Sequence, residues 1–264
     1  MIKLENVSFA YERENVLRDI SLEVAENQML GIIGPNSSGK STLLRPMAGI
    51  LRPTTGSVTV KGRDVSGISR RESARLVSFV PQETPSSFPF SVFEIVLMGR
   101  TPHLSALSFE REEDFRIGRE ALETTDAFEL RERFLDELSG GERQLVIIAR
   151  ALAQASPVML FDEPTTFLDV RHQVQILDII SRLNREQGRT VVVVSHDLNL
   201  ASLYCERLVL LERGKIVCDG TPDEVLHSPV LEQTYGVEMT VREGPTGRPF
   251  VIPERKTHRE GGTS

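Results

Sequence analysis

The stretch GIIGPNSSGKST, residues 31–42, gives the clearest indication in the sequence of how the chain folds. A short apolar run precedes the loop, and a helix-like pattern begins near residue 40. Between them lie small and turn-forming residues, followed by Lys40. Small residues let backbone N–H groups converge on a bound anion, and the start of the following helix adds a partial positive charge. The stretch therefore predicts a strand, a polyphosphate-binding loop and a helix, in that order.

The spacing inside this loop narrows the prediction. Gly34, Gly39, Lys40 and Ser41 match G-x-x-x-x-G-K-[ST] in the strand-to-helix context that the motif requires. Lys40 would neutralise the outer phosphates of a nucleotide, and the Ser41 hydroxyl would ligate Mg²⁺. A chance turn before a helix is the alternative, which the context disfavours. The predicted nucleotide contacts are Gly34, Pro35, Asn36, Ser37, Ser38, Gly39, Lys40, Ser41 and Thr42.

The composition limits the classes of partner. The chain has 264 residues and a net charge of −7, with no basic stripe, which disfavours nucleic acid as a partner. Cys205 and Cys218 lack a metal-type spacing, which suits a reducing compartment. No apolar run approaches the ~18 residues of a membrane span, and the first residues lack the apolar stretch of a signal peptide. If the protein works at a membrane, we expect it to dock on a protein already there.

Apolar runs alternate with helical patterns along most of the chain. The predicted strands lie at 2–9, 29–33, 157–161 and 190–196, and the predicted helices lie at 40–50, 141–155, 170–187 and 197–205. Strands that alternate with helices form mostly parallel sheets covered by helices on their faces. The fold class is therefore α/β, with a mostly parallel core sheet.

Two kinds of segment depart from this alternation. A hairpin around Gly62 and a strand pair within 208–220 predict an antiparallel β part. Residues 83–137 are helix-like and interrupt the strand rhythm. We interpret them as a helical subdomain inserted into a core domain of residues 1–226.

Residues 227–264 would then form a C-terminal extension. A helix beginning after Thr221, its predicted N-cap, leads into this extension. A strand pair that turns at 244–247 is predicted to follow, with a polar and mobile tail from about residue 254.

A second motif supplies carboxylates. VMLFDEP, residues 158–164, is an apolar strand that ends in Asp162 and Glu163. Asp162 at the strand end can hold hydrated Mg²⁺, and Glu163 can polarise an attacking water. An acidic loop after a strand is common by itself, but the upstream phosphate loop favours the catalytic interpretation.

A third motif, ELSGGERQ at residues 137–144, begins a helix with small residues. Ser139, Gly140 and Gly141 form a second anion-binding corner without a lysine of its own. Ser139 as N-cap, with Glu142 three residues later, is also a capping box. Both interpretations can hold, because capping and phosphate binding use the same end of a helix.

In this order, GPNSSGKST, LSGGERQ and LFDEP resemble the nucleotide-binding domain of ABC transporters, over residues 2 to about 226. The resemblance implies a P-loop NTPase fold with ATP and Mg²⁺ as its ligands. It also implies further site residues: Gln82 in FVPQ, Leu168 and Asp169 in FLDV, His196 in VVSHD, and Tyr11 in FAY with Val16 downstream.

The resemblance implies a homodimer with composite sites. Each ATP would lie between the phosphate loop of one copy and residues 139–141 of the other. Glu163 would activate water, and His196 would contact the γ-phosphate. Gln82 would touch Mg²⁺ together with Ser41 and Asp162, and Tyr11 would stack on adenine. Loss of the γ-phosphate would open the dimer.

Three residues differ from what the family's motifs or a regular helix would lead us to expect. Ser37 stands where the family often has glycine, so a positive φ there would cost energy. Glu142 replaces the more usual glutamine after the LSGG signature. Pro46 falls inside the first predicted helix and should kink it or end it early.

The segment FSVFEIVLMGRTPHL, residues 90–104, resembles ATPases that serve ferric-siderophore, haem and cobalamin importers. This resemblance implies a peripheral subunit on the cytoplasmic face of a membrane, with separate permease and substrate-binding proteins. The segment's apolar residues could form a permease groove or simply pack internally.

Two other functions are the alternatives. A non-transport ABC ATPase acting on DNA or ribosomes typically carries long coiled coils or two nucleotide domains, and neither pattern is visible here. A nucleotide kinase shares the phosphate loop, but LSGGE shortly before LFDEP argues against it.

Overall fold

The computed structural model describes residues 1–12, 14–82, 90–105 and 109–254. Its centre is a mixed six-stranded sheet that contains the predicted strands at 29–33, 157–161 and 190–196. Numbered in chain order, the sheet's strands lie side by side as β10 (Lys215–Gly220), β9 (Arg207–Glu212), β3 (Met29–Ile33), β8 (Thr190–Val194), β7 (Val158–Asp162) and β6 (Val77–Val80). Only the β10–β9 pair is antiparallel among these described strands. The predicted mostly parallel sheet is confirmed.

The strands of this sheet are apolar on both faces. In β3, Met29 and Ile33 face one hydrophobic core, while Leu30 and Ile32 face a second core on the opposite side. Residues along β7, β8 and β9 divide between the same two cores. A strand covered on both faces needs an unbroken apolar run, which is why the sequence shows no polar alternation there.

A second, antiparallel sheet lies beside the core. In spatial order it contains β2 (Glu14–Val24), β1 (Ile2–Tyr11), β4 (Thr55–Val60) and β5 (Arg63–Asp64). The predicted hairpin around Gly62 is the β4–β5 pair. Strand β2 was not predicted, because Asp19 with φ +54° breaks its two-residue period. The buried side chains of Leu17 and Ile20 are therefore three residues apart.

Helices cover both faces of the central sheet. They are α1 (Lys40–Met47), α2 (Arg70–Leu76), α3 (Val92–Leu97), α4 (Glu112–Thr124), α5 (Gly140–Ala153), α6 (Val170–Arg185), α7 (Leu198–Tyr204), α8 (Pro222–Leu226) and α9 (Pro229–Tyr235). Helices α2 and α9 were not predicted, since each buries a single residue, Ser73 and Leu231, and so shows little apolar periodicity. Within the described ranges, no helix is both long and apolar enough to cross a membrane.

Helix α1 ends early, as its proline predicted. Pro46 has no backbone N–H to donate, and the helix stops at Met47 instead of continuing to residue 50. The N–H of Ala48 still reaches the Leu44 carbonyl at 3.0 Å. The loop that follows turns through Gly49, whose φ is +69°.

Helices α3 and α4 pack against α5 to form a helical layer. In the segment 90–104, Val92, Val96 and Leu97 are buried, so internal packing accounts for them. Residues 83–89 of the predicted subdomain lie outside the described residues, and its limits remain a prediction.

A buried ion pair links this layer. The Arg100 Nε donates to Asp114 Oδ1 at 2.9 Å, and its Nη1 donates to the Ala153 carbonyl at the end of α5 at 2.8 Å. The two side chains are only 7% and 8% exposed. Burial acts to raise the pKa of Asp114, but hydrogen bonds from the Arg111 backbone and from Arg100 outweigh it and lower that pKa.

The C-terminal extension docks on α7. Its hairpin pairs β11 (Met239–Glu243) with β12 (Pro249–Pro253), and the turn lies between them as predicted. The Asn199 side chain accepts from the Val251 N–H at 2.7 Å and donates to the Val251 carbonyl at 3.2 Å. The Ser202 hydroxyl donates to the Pro249 carbonyl at 2.6 Å. The predicted mobile tail falls on residues 255–264, outside the described residues.

We predict that Arg100→Ala destabilises the fold by about 3–5 kcal/mol, because it leaves the Asp114 carboxylate buried without its partner. Urea unfolding measures the change. Arg116→Ala is the matched control, since the Arg116–Glu120 pair of α4 is exposed. Arg116→Ala should lower the free energy of unfolding by less than about 0.5 kcal/mol.

The pH dependence gives a second check on this pair. The pKa of Asp114 is lower in the folded chain, so the pair stabilises the fold above the unfolded pKa and loses its effect as Asp114 protonates. The difference in free energy of unfolding between the parent and Arg100→Ala should therefore become smaller below about pH 4. Equal stability of the two proteins at pH 7 would contradict the assignment.

Candidate functional site

The carboxyl ends of four neighbouring parallel strands meet at one edge of the central sheet. Lys40 follows β3, His196 follows β8, Asp162 and Glu163 lie at the end of β7, and Gln82 follows β6. Open parallel sheets bind ligands at this edge. A cleft of about 550 Å³ lies there and is lined by four of these five residues, Asp162 being buried beneath it. The residues predicted from separate motifs are thus brought together.

Lys40 is held inside the phosphate loop. Its ammonium donates to the Gly34 carbonyl at 2.9 Å and to the Pro35 carbonyl at 3.0 Å. The residue is only 4% exposed. Burial lowers the pKa of Lys40, and the carboxylates of Glu163 and Asp162 partly offset that effect. The loop therefore holds a fixed positive charge in a partly dry environment.

The loop backbone depends on unusual conformations. Gly34 has φ +148°, and a Cβ there would lie 2.2 Å from the Leu211 carbonyl oxygen. Ser37 adopts φ +62°, so the energetic cost expected from replacing glycine is present. The Ser38 hydroxyl is buried and has no hydrogen-bond partner among the residues that the structure describes. An unpartnered donor in this loop suits an anionic ligand.

Asp162 and Ser41 present oxygen ligands side by side. The Ser41 hydroxyl donates to Asp162 Oδ1 at 2.8 Å. Burial raises the pKa of Asp162, the Ser41 hydrogen bond opposes that shift, and repulsion from Glu163 adds to it. A carboxylate and a hydroxyl are hard oxygen donors of the kind that Mg²⁺ prefers. A cation here would also relieve the cost of a buried carboxylate, so the residues fit the predicted metal.

Glu163 occupies a strained position at the floor of the cleft. Its φ is +51°, a conformation that costs energy in a residue other than glycine. Its carboxylate accepts from Gln82 Nε2 at 2.8 Å and from the Thr166 hydroxyl at 3.3 Å. The other carboxylate oxygen contacts His196 Nε2. Three side chains therefore fix the direction in which this carboxylate points.

Tyr11 and Val16 lie at the rim of the cleft. The Tyr11 ring meets Phe9 edge-on, with the two ring centroids 4.8 Å apart, and its hydroxyl accepts from Arg45 Nη1 at 2.9 Å. The Val16 carbonyl oxygen lies 3.1 Å from the place of a Cβ on Gly39. These positions agree with the predicted adenine side of the site, while the stacking role stays a prediction.

The second predicted anion corner does not belong to this cleft. Ser139 caps α5 and forms the predicted capping box with Glu142, whose pKa is held low by hydrogen bonds from the Ser139 hydroxyl and N–H. Asp169 is the N-cap of α6, where its side chain accepts from the His172 backbone N–H at 2.9 Å. The described residues that line the cleft include none of Ser139, Gly140, Gly141 and Asp169. Gly140 lines a neighbouring cavity of about 290 Å³.

Several residues of the cleft were missed by sequence reasoning. Thr166 and Phe167 follow Glu163 in the same loop, and Glu14 lies two residues before Val16 on β2. Phe167 is 90% exposed and has φ +64°. Proximity in sequence to Glu163 and Val16 was the only available signal, since loop geometry decides where these side chains point.

Comparison with known proteins gives the family. The ABC transporter family model matches residues 17–166. The petrobactin import ATP-binding protein of Bacillus anthracis is 36% identical, with 99% of this chain and 96% of that protein aligned. The hemin import ATP-binding protein of Gloeobacter violaceus is 42% identical, with 96% of this chain and 94% of that protein aligned. Other relatives are named for ferric enterobactin transport and for cobalamin import.

Solved structures agree with this assignment. A structure described as a metal-chelate type ABC transporter in an inward-facing conformation matches with a TM-score of 0.85 at 29% identity, covering 97% of both chains. A dimeric cassette bound to ADP and phosphate also matches. The fold, the order of the motifs and the relatives lead to one conclusion: this chain belongs to the ABC transporter family of ATPases.

Proposed function

We propose that this chain is the ATP-hydrolysing subunit of an importer that takes up a metal chelate, such as a ferric siderophore, haem or cobalamin, through a separate permease. One observation supports ATP hydrolysis as the activity. Residues that can bind phosphate, hold a metal and activate water meet at one edge of the central sheet, namely Lys40, Asp162, Glu163 and His196. The proposed cargo class rests on the names of relatives that align over nearly the whole chain.

The two ends of the nucleotide would bind to different parts of the cleft, the phosphates to the phosphate loop and the adenine to the rim. Lys40 and the N–H groups at the start of α1 bind the β- and γ-phosphates, and Tyr11 and Val16 receive the adenine. Ser41, Asp162 and Gln82 would hold Mg²⁺, which would neutralise charge on the outer phosphates. With the nucleotide held in this way, the γ-phosphate would lie on the side of the cleft that Glu163 lines.

Glu163 then accepts a proton from water as the water oxygen attacks the γ-phosphorus, and the bond to ADP breaks. Gln82 and Thr166 hold one carboxylate oxygen, so the other oxygen is the one that would accept the proton. His196 lies against the same carboxylate and can donate to the γ-phosphate once ATP fills the site. The products are ADP and phosphate.

A second copy would complete the site. Ser139, Gly140, Gly141 and Asp169 lie outside the cleft that the same chain forms among the described residues. A two-fold axis would place the α5 N-terminus of one copy over the phosphate loop of the other. Helix N-termini bind anions, so the γ-phosphate would join the two copies until it is cleaved.

A permease would dock beside Gln82, on the cytoplasmic face of the membrane. A cavity of about 350 Å³ lies between the end of α1, α2 and β6, with Ile50 and Phe79 in its lining. Ile50 in this lining is an exposed apolar side chain, and so is Met98 after α3. A substrate-binding protein would deliver cargo to the permease from the other side, and the net charge of −7 disfavours nucleic acid as a partner.

The transport assignment is tested with the chain and its permease in proteoliposomes. We expect ATP-dependent uptake of a ferric chelate, haem or cobalamin when the matching binding protein is added, because ATP-driven opening and closing of the dimer moves the permease. The complex carrying Glu163→Gln is the control. Active ATPase that stays free of every membrane complex and associates with ribosomes or DNA would contradict the importer and support the alternative.

We predict that Glu163→Gln lowers the turnover number for ATP by at least about 100-fold, because the proton acceptor is lost. ATP affinity, measured by titration calorimetry, should change little, and a closed dimer should accumulate. Glu186→Gln at the exposed end of α6 is the matched control and should keep full turnover. Normal hydrolysis by Glu163→Gln would refute the role given to this carboxylate.

We predict that Asp162→Asn makes the protein more stable and less active. The pKa of Asp162 is raised by burial, so ionising this carboxyl costs folding free energy at neutral pH. A neutral amide should therefore raise the free energy of unfolding and, with it, Tm. The gain should fade as the pH drops towards 4 and the parent protonates.

The same variant should lose Mg²⁺-dependent hydrolysis by about 100-fold or more. Calorimetry and a phosphate-release assay measure both effects, and Asp136→Asn serves as an exposed control. Undiminished hydrolysis in Asp162→Asn would remove Asp162 from the metal site.

A further inference from the structure

One imidazole lies between the two segments that the proposed dimer would present to its second copy. The His172 ring, on the first turn of α6, covers the backbone of Gly141. A Cβ built on Gly141 would lie 2.3 Å from His172 Cδ2 and 2.8 Å from its Nε2. Glycine at position 141 is therefore required by a neighbour in the same chain.

The other edge of the same ring holds Asp169. His172 Nδ1 lies 3.0 Å from both carboxylate oxygens of Asp169, and the His172 backbone N–H donates to Oδ1 at 2.9 Å. Because a carboxylate only accepts hydrogen bonds, the Nδ1 carries the proton in this contact. Hydrogen bonding to Asp169 therefore sets the plane in which the ring meets Gly141.

Adjacent contacts make the arrangement stiff. Leu168 Cδ2 lies 3.6 Å from the place of a Cβ on Gly140, and Gln173 Nε2 donates to the Leu168 carbonyl at 3.1 Å. The His172 side chain is 29% exposed, so most of its surface is taken up by these neighbours. The start of α5 and the loop before α6 are thus joined through one side chain.

We propose that His172 is a positioning residue that sets the distance between Gly141 and Asp169, so that both meet the second copy as one rigid surface. The inference rests on the proposed two-copy mechanism. Neither Gly141 nor Asp169 lines the cleft of its own chain, within the described residues, so we assign the effect of their spacing to the contact with the other copy. Small displacements of such groups weaken a composite site strongly.

The test uses the full chain carrying Glu163→Gln, which should dimerise with ATP. In that background His172→Ala should weaken ATP-driven dimerisation about tenfold by sedimentation, while the ATP affinity of the dilute single copy changes less than about twofold. His227→Ala is the matched control, because His227 also faces an aspartate of its own helix, Asp223 on α8, far from the cleft. That variant should dimerise like the parent.

A second variant separates positioning from folding. His172→Phe keeps an aromatic ring, slightly larger than the imidazole, beside Gly141 and removes the hydrogen bond to Asp169, so its dimer should be severalfold weaker than the parent and stronger than that of His172→Ala. His172 variants that dimerise as well as a dimerising parent would overturn this inference alone. A parent that stays monomeric with ATP would contradict the proposed function, and the inference with it.

Discussion

A buried ammonium and two buried carboxylates share the edge of the central sheet, and the rest of the structure holds them there. Separately, each charge would be costly to bury. Together, the Lys40 ammonium is paired with two backbone carbonyls and lies close to Asp162 and Glu163. The parallel strands supply this proximity, because their carboxyl ends must meet at one edge. The two hydrophobic cores on either face of the sheet supply the rigidity.

Strain accumulates at the same edge. Ser37, Glu163 and Phe167 all have positive φ, although none is glycine. Such conformations persist only where surrounding contacts determine them. Here β7 ends directly before Glu163, β3 ends a few residues before Ser37, and both strands are buried along their whole length. Packing in the two hydrophobic cores thus stabilises the strands, and the strands hold the residues after them in backbone conformations that an unconstrained loop would not adopt.

The sequence reveals the parts of this architecture that depend on burial, and it conceals the parts that depend on local geometry. Buried strands such as β7 and β8 appear as apolar runs, and the motifs at their ends place Asp162, Glu163 and His196 correctly. Strand β2 escaped prediction because a left-handed residue shifts its period, and α2 because Ser73 is its only buried residue. Thr166 and Phe167 enter the cleft through the path of a loop, which no periodicity records.

The hairpin at the end of the chain is fastened to the helix that starts two residues after His196. Asn199 and Ser202 of α7 make its hydrogen bonds to β12. The hairpin is therefore coupled by hydrogen bonds to the helix that follows His196. An environment-sensitive dye attached near the exposed Glu243 would report a displacement that α7 passes to the hairpin, without a label inside the cleft.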